Sequence, residues 1–107
     1  MAGGVVQINK DNFKEKVLES QEPVVLDFFA EWCGPCKAIA PVLDKLSGEY
    51  TNVKFYKIDV DENNALAAEY GVRAMPTFMM FKNGQKVEEI MGANPGAILN
   101  GIKKLAA

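Results

Sequence analysis

The sequence predicts an α/β fold in which a mixed sheet of about five strands is flanked by helices. Three observations predict it. The run Val24-Val25-Leu26-Asp27-Phe28-Phe29-Ala30 is rich in β-branched and aromatic residues and, Asp27 apart, apolar on both faces. That is the pattern of a central strand covered on both sides. A stripe of helical period follows, and then a second strand-like run, Val53 to Val60. Strand, helix, strand is a βαβ unit, whose two strands run parallel. Finally, Asn83-Gly84 lies between two further strand-like runs, Thr77 to Phe81 and Lys86 to Met91, which marks an antiparallel hairpin.

The remaining elements follow in chain order. Val5 to Ile8 is a short apolar run suited to a strand. Asn9 or Asp11 can then cap a helix on which Phe13, Val17 and Leu18 form the apolar stripe, and Glu22-Pro23 ends it. After the Val24 strand, Ile39, Val42, Leu43 and Leu46 recur at helical spacing. Pro41 sits inside that helix, where its ring removes one backbone hydrogen bond and predicts a kink. Asp61 is read as the cap of a helix through Tyr70, stopped by Gly71. Asn94-Pro95 opens the last helix, with proline at the first helical position and Ile98, Leu99, Ile102 and Leu105 as its buried face.

Composition narrows the function. A chain of 107 residues fits one domain, residues 1–107. Its net charge of −2 argues against nucleic-acid or anionic-membrane binding, both of which need a basic face. The longest nearly apolar run, Val24 to Ala30, is far too short to span a bilayer. The segment Met1 to Gln7 has neither the basic start nor the apolar length of a leader, so the chain reads as cytoplasmic, with a processed organellar form left open. The sequence has two cysteines and no histidine. That is too few ligands for a structural zinc site and excludes every Cys–His or Ser–His nucleophile pair, so no metal is expected.

The chemistry sits in Trp32-Cys33-Gly34-Pro35-Cys36. A Cys-x-x-Cys pair after a strand and at a helix start is the signature of a redox dithiol. Residues three apart on a first helical turn are close enough to form a disulfide without large strain. The N–H groups and dipole of the helix terminus stabilise an anion there, favouring a nucleophilic thiolate at Cys33. Cys36, one turn in, is expected to be less exposed and less acidic. Cys33 therefore attacks and Cys36 resolves. The bland alternatives are an inert buried pair or a permanent structural disulfide; so short a loop constrains the unfolded chain little, which weakens the latter.

The run Phe28 to Lys37, with Arg73-Ala74-Met75-Pro76-Thr77-Phe78 and Phe81-Lys82-Asn83-Gly84, closely resembles the thioredoxin family, in order and spacing over essentially the whole chain. Gly-Pro between the cysteines is similar to thioredoxins, whereas disulfide isomerases and bacterial oxidants usually carry a histidine there. Phe29 departs from the many bacterial members that have a second tryptophan at that point. Ala-Met-Pro in the second loop resembles eukaryotic cytosolic members. The resemblance implies a thioredoxin fold: a central mixed five-stranded sheet flanked by four helices. It implies a cis peptide before Pro76, with Pro76 against the dithiol and the Met75 backbone pairing with the substrate chain.

Asp27 is the next candidate. A carboxylate buried in mid-strand is costly to ionise, so its pKa rises towards neutrality and it can exchange protons with a thiol. Strand alternation alone leaves burial and exposure about equally open. The resemblance places Asp27 behind Cys36 as its proton acceptor, through a water, with Lys57 approaching from the neighbouring strand to tune it. It also implies a docking surface of Trp32, Gly34, Pro35, Met75, Pro76, Gly92 and Ala93. Lys37 could favour the thiolate, although a lone helical lysine is usually just solvated. Asp59, Asp61 and Glu62 lack the glycine and distal glutamate of a calcium loop.

The sequence carries no nucleotide or flavin motif. A protein-disulfide reductase of this kind binds no cofactor and must receive electrons from a partner. The resemblance implies NADPH, through a flavin-containing thioredoxin reductase. It also implies targets such as peroxiredoxins, methionine sulfoxide reductases and ribonucleotide reductase, and a monomer. An oxidase or isomerase is the rival of the same chemistry. A binding subunit with an incidental dithiol is the rival of another class.

Overall fold

The computed structural model describes residues 4–107, so Met1, Ala2 and Gly3, part of the segment read above as lacking a leader, lie outside the described residues. Five strands form one sheet: β1 (Val6–Gln7), β2 (Val24–Phe29), β3 (Lys54–Asp59), β4 (Thr77–Lys82) and β5 (Gln85–Met91). Their order is β1-β3-β2-β4-β5. β1 and β2 both run parallel to β3, whereas β4 is antiparallel to β2 and β5 to β4. The sheet is mixed, as the βαβ unit and the hairpin predict. β2 has a hydrogen-bonded neighbour on each edge and all six of its residues are buried.

The hairpin turn places Asn83 at φ 54° and Gly84 at φ 77°. Two successive left-handed residues make the tight turn that Asn-Gly favours. A side chain at Gly84 would collide with the Leu18 carbonyl oxygen, so glycine is required there for packing as well.

Four helices flank the sheet, and two of them begin differently from the sequence reading. The first is a single wide turn, Lys14–Leu18, closed by an i→i+5 bond in which the Glu19 N–H donates to the Lys14 carbonyl at 2.9 Å. Neither Asn9 nor Asp11 caps it. The Asn9 side chain instead accepts the Asp11 N–H, and Asn12 Oδ1 accepts the Asn9 N–H, each at 2.8 Å, closing a tight turn ahead of the helix. Phe13 and Val17 are buried as expected. Helix α1 (Gly34–Glu49) runs through Pro41 as one element.

Helix α2 (Asn64–Glu69) starts later than Asp61, with Asn63 as its N-cap residue. The Asp61 N–H is taken by Asp59 Oδ1 at 2.9 Å, which holds the chain in a turn there. Its end matches expectation. Gly71 at φ +71° lets its N–H reach Ala68 O and lets the Val72 N–H reach Ala67 O, at 3.0 and 2.9 Å. Helix α3 (Pro95–Ala106) is capped by Asn94, whose side chain accepts the Ala97 N–H at 3.1 Å.

The core lies on both sides of the sheet. One cluster joins Phe13, Val17, Leu26, Phe28, Met79 and Phe81 to both cysteines. The other joins Val25, Phe78 and Met80 to Ile39 and Leu43 of α1 and Ile98 and Ile102 of α3.

Candidate active site

The chain leaves β2 at Phe29, turns through Glu31 and Trp32, and enters α1 at Gly34. The turn is tied by the Cys33 N–H to the Ala30 carbonyl at 3.1 Å. Cys33 is the N-cap of α1, with extended backbone (φ −82°, ψ 110°). A cap residue needs an acceptor for the orphan N–H groups of the first turn. Here the acceptor is sulfur: Cys33 Sγ lies 3.1 Å from the Cys36 N that donates to it. A thiolate at this atom would gain both that bond and the dipole of a 16-residue helix. Cys33 and Cys36 are joined as a disulfide, their Cα atoms 5.3 Å apart.

One expectation is overturned. In the disulfide form Cys33 is no more exposed than Cys36, at 3 % against 5 %. The second loop explains it, because Cys33 Sγ lies 3.7 Å from the Met75 carbonyl oxygen. The Met75–Pro76 bond is cis. Pro76 is buried, Met75 half-buried, and the Pro76 carbonyl accepts the Gly92 N–H at 2.9 Å. The Met75 carbonyl thus meets the dithiol, and Gly92 is tied to the same loop through Pro76. Gly92 has φ +94°, a conformation that favours glycine. Ala93 is half-buried, and one side of it packs on the cluster that contains Ile98. Gly34 and Pro35 are exposed, leaving the dithiol rim low.

Trp32 is 66 % exposed, yet its indole is held: Nε1 donates to Asp61 Oδ2 at 2.8 Å. Asp61 is therefore a site residue that the sequence reading assigns to a helix cap. The two lie 29 residues apart and no local pattern links them.

Behind the dithiol, Asp27 is 5 % exposed, and its Oδ1 is buried with no hydrogen-bond partner among the described residues. Burial pushes its pKa up to about 7, against the opposing pull of Lys57. Asp27 and Lys57 are register partners on β2 and β3. They form no direct ion pair among the described residues; Lys57 Nζ instead lies 5.2 Å from the centroid of the Phe29 ring. Phe29 is thus a further site residue, readable in the sequence only as a departure from a tryptophan. A cavity of about 160 Å³ is lined by Asp27, Phe29, Cys36 and Lys57, among others. That is room for water between the carboxyl and Cys36. No three His, Cys, Asp or Glu side chains group as a metal site among the described residues.

The family model described as Thioredoxin matches residues 4–104. Thioredoxin Asp f 29 of Aspergillus fumigatus is 62 % identical over 93 residues, 85 % of this chain and 84 % of that protein. Among solved structures, thioredoxin F from spinach chloroplast (short form) superimposes with a TM-score of 0.93 at 44 % identity, covering 99 % of this chain and 96 % of that one. Also similar is a chain in a structure addressing the thiol resolving mechanism in yeast mitochondrial 1-Cys peroxiredoxin via glutathione/thioredoxin systems. It has a TM-score of 0.89 and 42 % identity, with 97 % of this chain and 98 % of that one covered.

Proposed function

The chain belongs to the thioredoxin family and is a thiol–disulfide oxidoreductase, and we propose that it works as one domain in which Cys33 attacks and Cys36 resolves. The Cys33 thiolate attacks one sulfur of a target disulfide, forming a mixed disulfide and releasing the other target sulfur as a thiolate. Cys36, deprotonated by Asp27, then attacks Cys33 Sγ. The Cys33–Cys36 bond forms, the bond to the target breaks, and two electrons have passed to the target. The observation that carries this assignment is the cap geometry. Among the described residues Cys33 sulfur accepts an N–H from the first turn of α1 and Cys36 sulfur accepts none, so the Cys33 thiolate is the better stabilised of the two.

Asp27 is suited to act as the base because its carboxyl titrates near neutral pH and shares a cavity with Cys36. Lys57 tunes it through space. Trp32, Gly34, Pro35, Met75, Pro76, Gly92 and Ala93 form the docking surface, with the Met75 backbone facing the substrate chain. Electrons come from NADPH through a flavin-containing thioredoxin reductase. The targets are disulfide proteins of the peroxiredoxin, methionine sulfoxide reductase and ribonucleotide reductase kinds, met in the cytoplasm by a monomer. The yeast peroxiredoxin structure is consistent with the first of these.

Replacing Cys33 with serine is expected to abolish insulin-disulfide reduction; retained turnover would refute the nucleophile assignment. Cys36→Ser is expected to accumulate covalent complexes with targets, read by mass spectrometry after thiol quenching, and the trapped proteins identify the partners. Complexes trapped only by Cys33→Ser would reverse the two roles.

A further inference from the structure

Cys36, Ala40 and Asp44 stand four residues apart on α1 and so share one stripe of the helix. Asp27 lies against that stripe at two places. It lines the cavity of about 160 Å³ together with Cys36 and Ala40. It also lines a second, smaller cleft of about 40 Å³, with Val5, Ala40, Leu43 and Asp44. Lys57 borders both spaces. A single buried carboxyl therefore has two approaches, and the small side chain of Ala40 borders each.

The two approaches open in different places. The first is rimmed by Glu31 and Lys37, which flank the dithiol run in the chain and so lie beside the proposed docking surface. The second is rimmed by Val5 and Asp44. Asp44 is eight residues beyond Cys36, about 12 Å farther along the helix axis. Asp44 is exposed, and its Oδ1 accepts the Val5 N–H over a long 3.4 Å, which leaves most of its acceptor capacity free. A cleft of this size accommodates a water, and Asp27 and Asp44, which both line it, are the polar side chains such a water would meet along with Lys57. The charged groups around Asp27 are Lys57 from β3, Glu31 from the loop after β2, and Lys37 and Asp44 from α1; Phe78, its register partner on β4, carries none.

We propose that the cleft between Asp27 and Asp44 is a rear proton route, which connects Asp27 to bulk solvent while a docked protein covers the front. The Cys36 thiol gives its proton to the Asp27 carboxylate and becomes the thiolate that attacks Cys33. The Asp27 carboxylic acid then passes the proton through water to the Asp44 carboxylate, and Asp44 releases it to solvent. No electrons move in these steps. The route rests on reading Asp27 as the proton acceptor for Cys36.

The test is single-turnover resolution of two mixed disulfides on Cys33 near neutral pH. One carries the small leaving group thionitrobenzoate, which leaves the front open. The other carries a folded peroxiredoxin, which covers it. Asp44→Asn is expected to slow peroxiredoxin release at least about three-fold more than thionitrobenzoate release. Asp44→Glu is expected to restore the wild-type ratio. The amide of the Asp44→Asn variant keeps an oxygen for the Val5 N–H, so a purely structural role for Asp44 predicts no change in the ratio. Ala40→Leu, which fills the space between the two approaches, is expected to mimic Asp44→Asn; if it does not fold, the Asp44 pair decides alone. A wild-type ratio in Asp44→Asn overturns the rear route. Asp27→Asn separates the two readings. If it slows both releases while Asp44→Asn leaves the ratio alone, only the rear route falls. If it slows neither, the Asp27 assignment falls as well.

Discussion

The two faces of β2 are built for different purposes, though they alternate residue by residue along one strand. On one face Val24, Leu26 and Phe28 are fully buried among Phe13, Val17, Met79 and Phe81. On the other, Val25 packs with Ile39, Leu43 and Phe78, and the next residue on that side is Asp27. Full burial of a Leu or Phe contributes about 1.5–3 kcal/mol, whereas an ionised carboxylate without a partner opposes folding. One face therefore holds the strand in place and the other uses the rigidity. β3 and β4 hydrogen-bond β2 along both edges, so the Asp27 backbone cannot drift, and its carboxyl stays behind Cys36.

The largest effect is expected on the apolar face. Phe28→Ala leaves a cavity in a region with no solvent access and is expected to cost about 4 kcal/mol, measured by urea unfolding of the reduced and oxidised forms. The protein that remains folded is expected to reduce disulfides at the wild-type rate. A cost below about 1 kcal/mol would mean that the face is not close-packed and would break the comparison.

Asp27→Asn is expected to move stability the other way. Burial lifts the Asp27 pKa from its ordinary 3.8 to about 7, so the folded chain binds this proton more tightly than the unfolded chain. The stability that the neutral carboxyl contributes is complete below about pH 4 and is lost as pH rises through about 7. At pH 8, Asp27→Asn is expected to gain about 4 kcal/mol and to flatten the fall in stability between those values. It is also expected to slow the resolving step more than the first attack. Gained stability with unchanged resolution would leave Asp27 a cost with no chemical return.

This strand also shows how much of the fold is legible in the sequence. Its burial on both sides was legible because seven consecutive residues, Asp27 apart, are apolar, and the hairpin because Asn-Gly fixes a turn locally. The dithiol was legible for the same reason, since spacing and helix start lie within five residues. Features set by distant residues were not. The burial of Cys33 depends on the Met75 carbonyl, 42 residues away. Asp61 suits a cap by its type, but Asp59 takes its N–H and its own carboxylate holds Trp32. Asn9 likewise spends its side chain on a turn ahead of the first helix.

A smaller effect is expected where the apolar side meets the hairpin. Gly84→Ala forces a side chain into the left-handed region and against the Leu18 carbonyl, and Leu18 packs on the cluster that holds Phe28. A loss of about 2 kcal/mol is expected, with no change in redox rate. Equal stability of the variant would show that the turn yields without disturbing that face.

The smallest effect concerns a residue that belongs to neither face. Trp32 is two-thirds exposed, so its bond to Asp61 is expected to contribute little to the fold. What the bond does is fix the orientation of a large apolar ring beside the dithiol. A ring held in one orientation loses less freedom on docking than a mobile one, by about 0.5–1.5 kcal/mol for a side chain of this kind. Asp61→Ala is therefore expected to raise KM for a protein disulfide several-fold, to leave kcat near wild type, and to change stability by less than about 1 kcal/mol. Trp32→Ala is expected to raise KM further, since it removes the contact area as well as its orientation. If Asp61→Ala instead lowered stability by as much as Gly84→Ala does, the Trp32 bond would count with the apolar face of β2. Recognition and stability would then not be separable in this molecule.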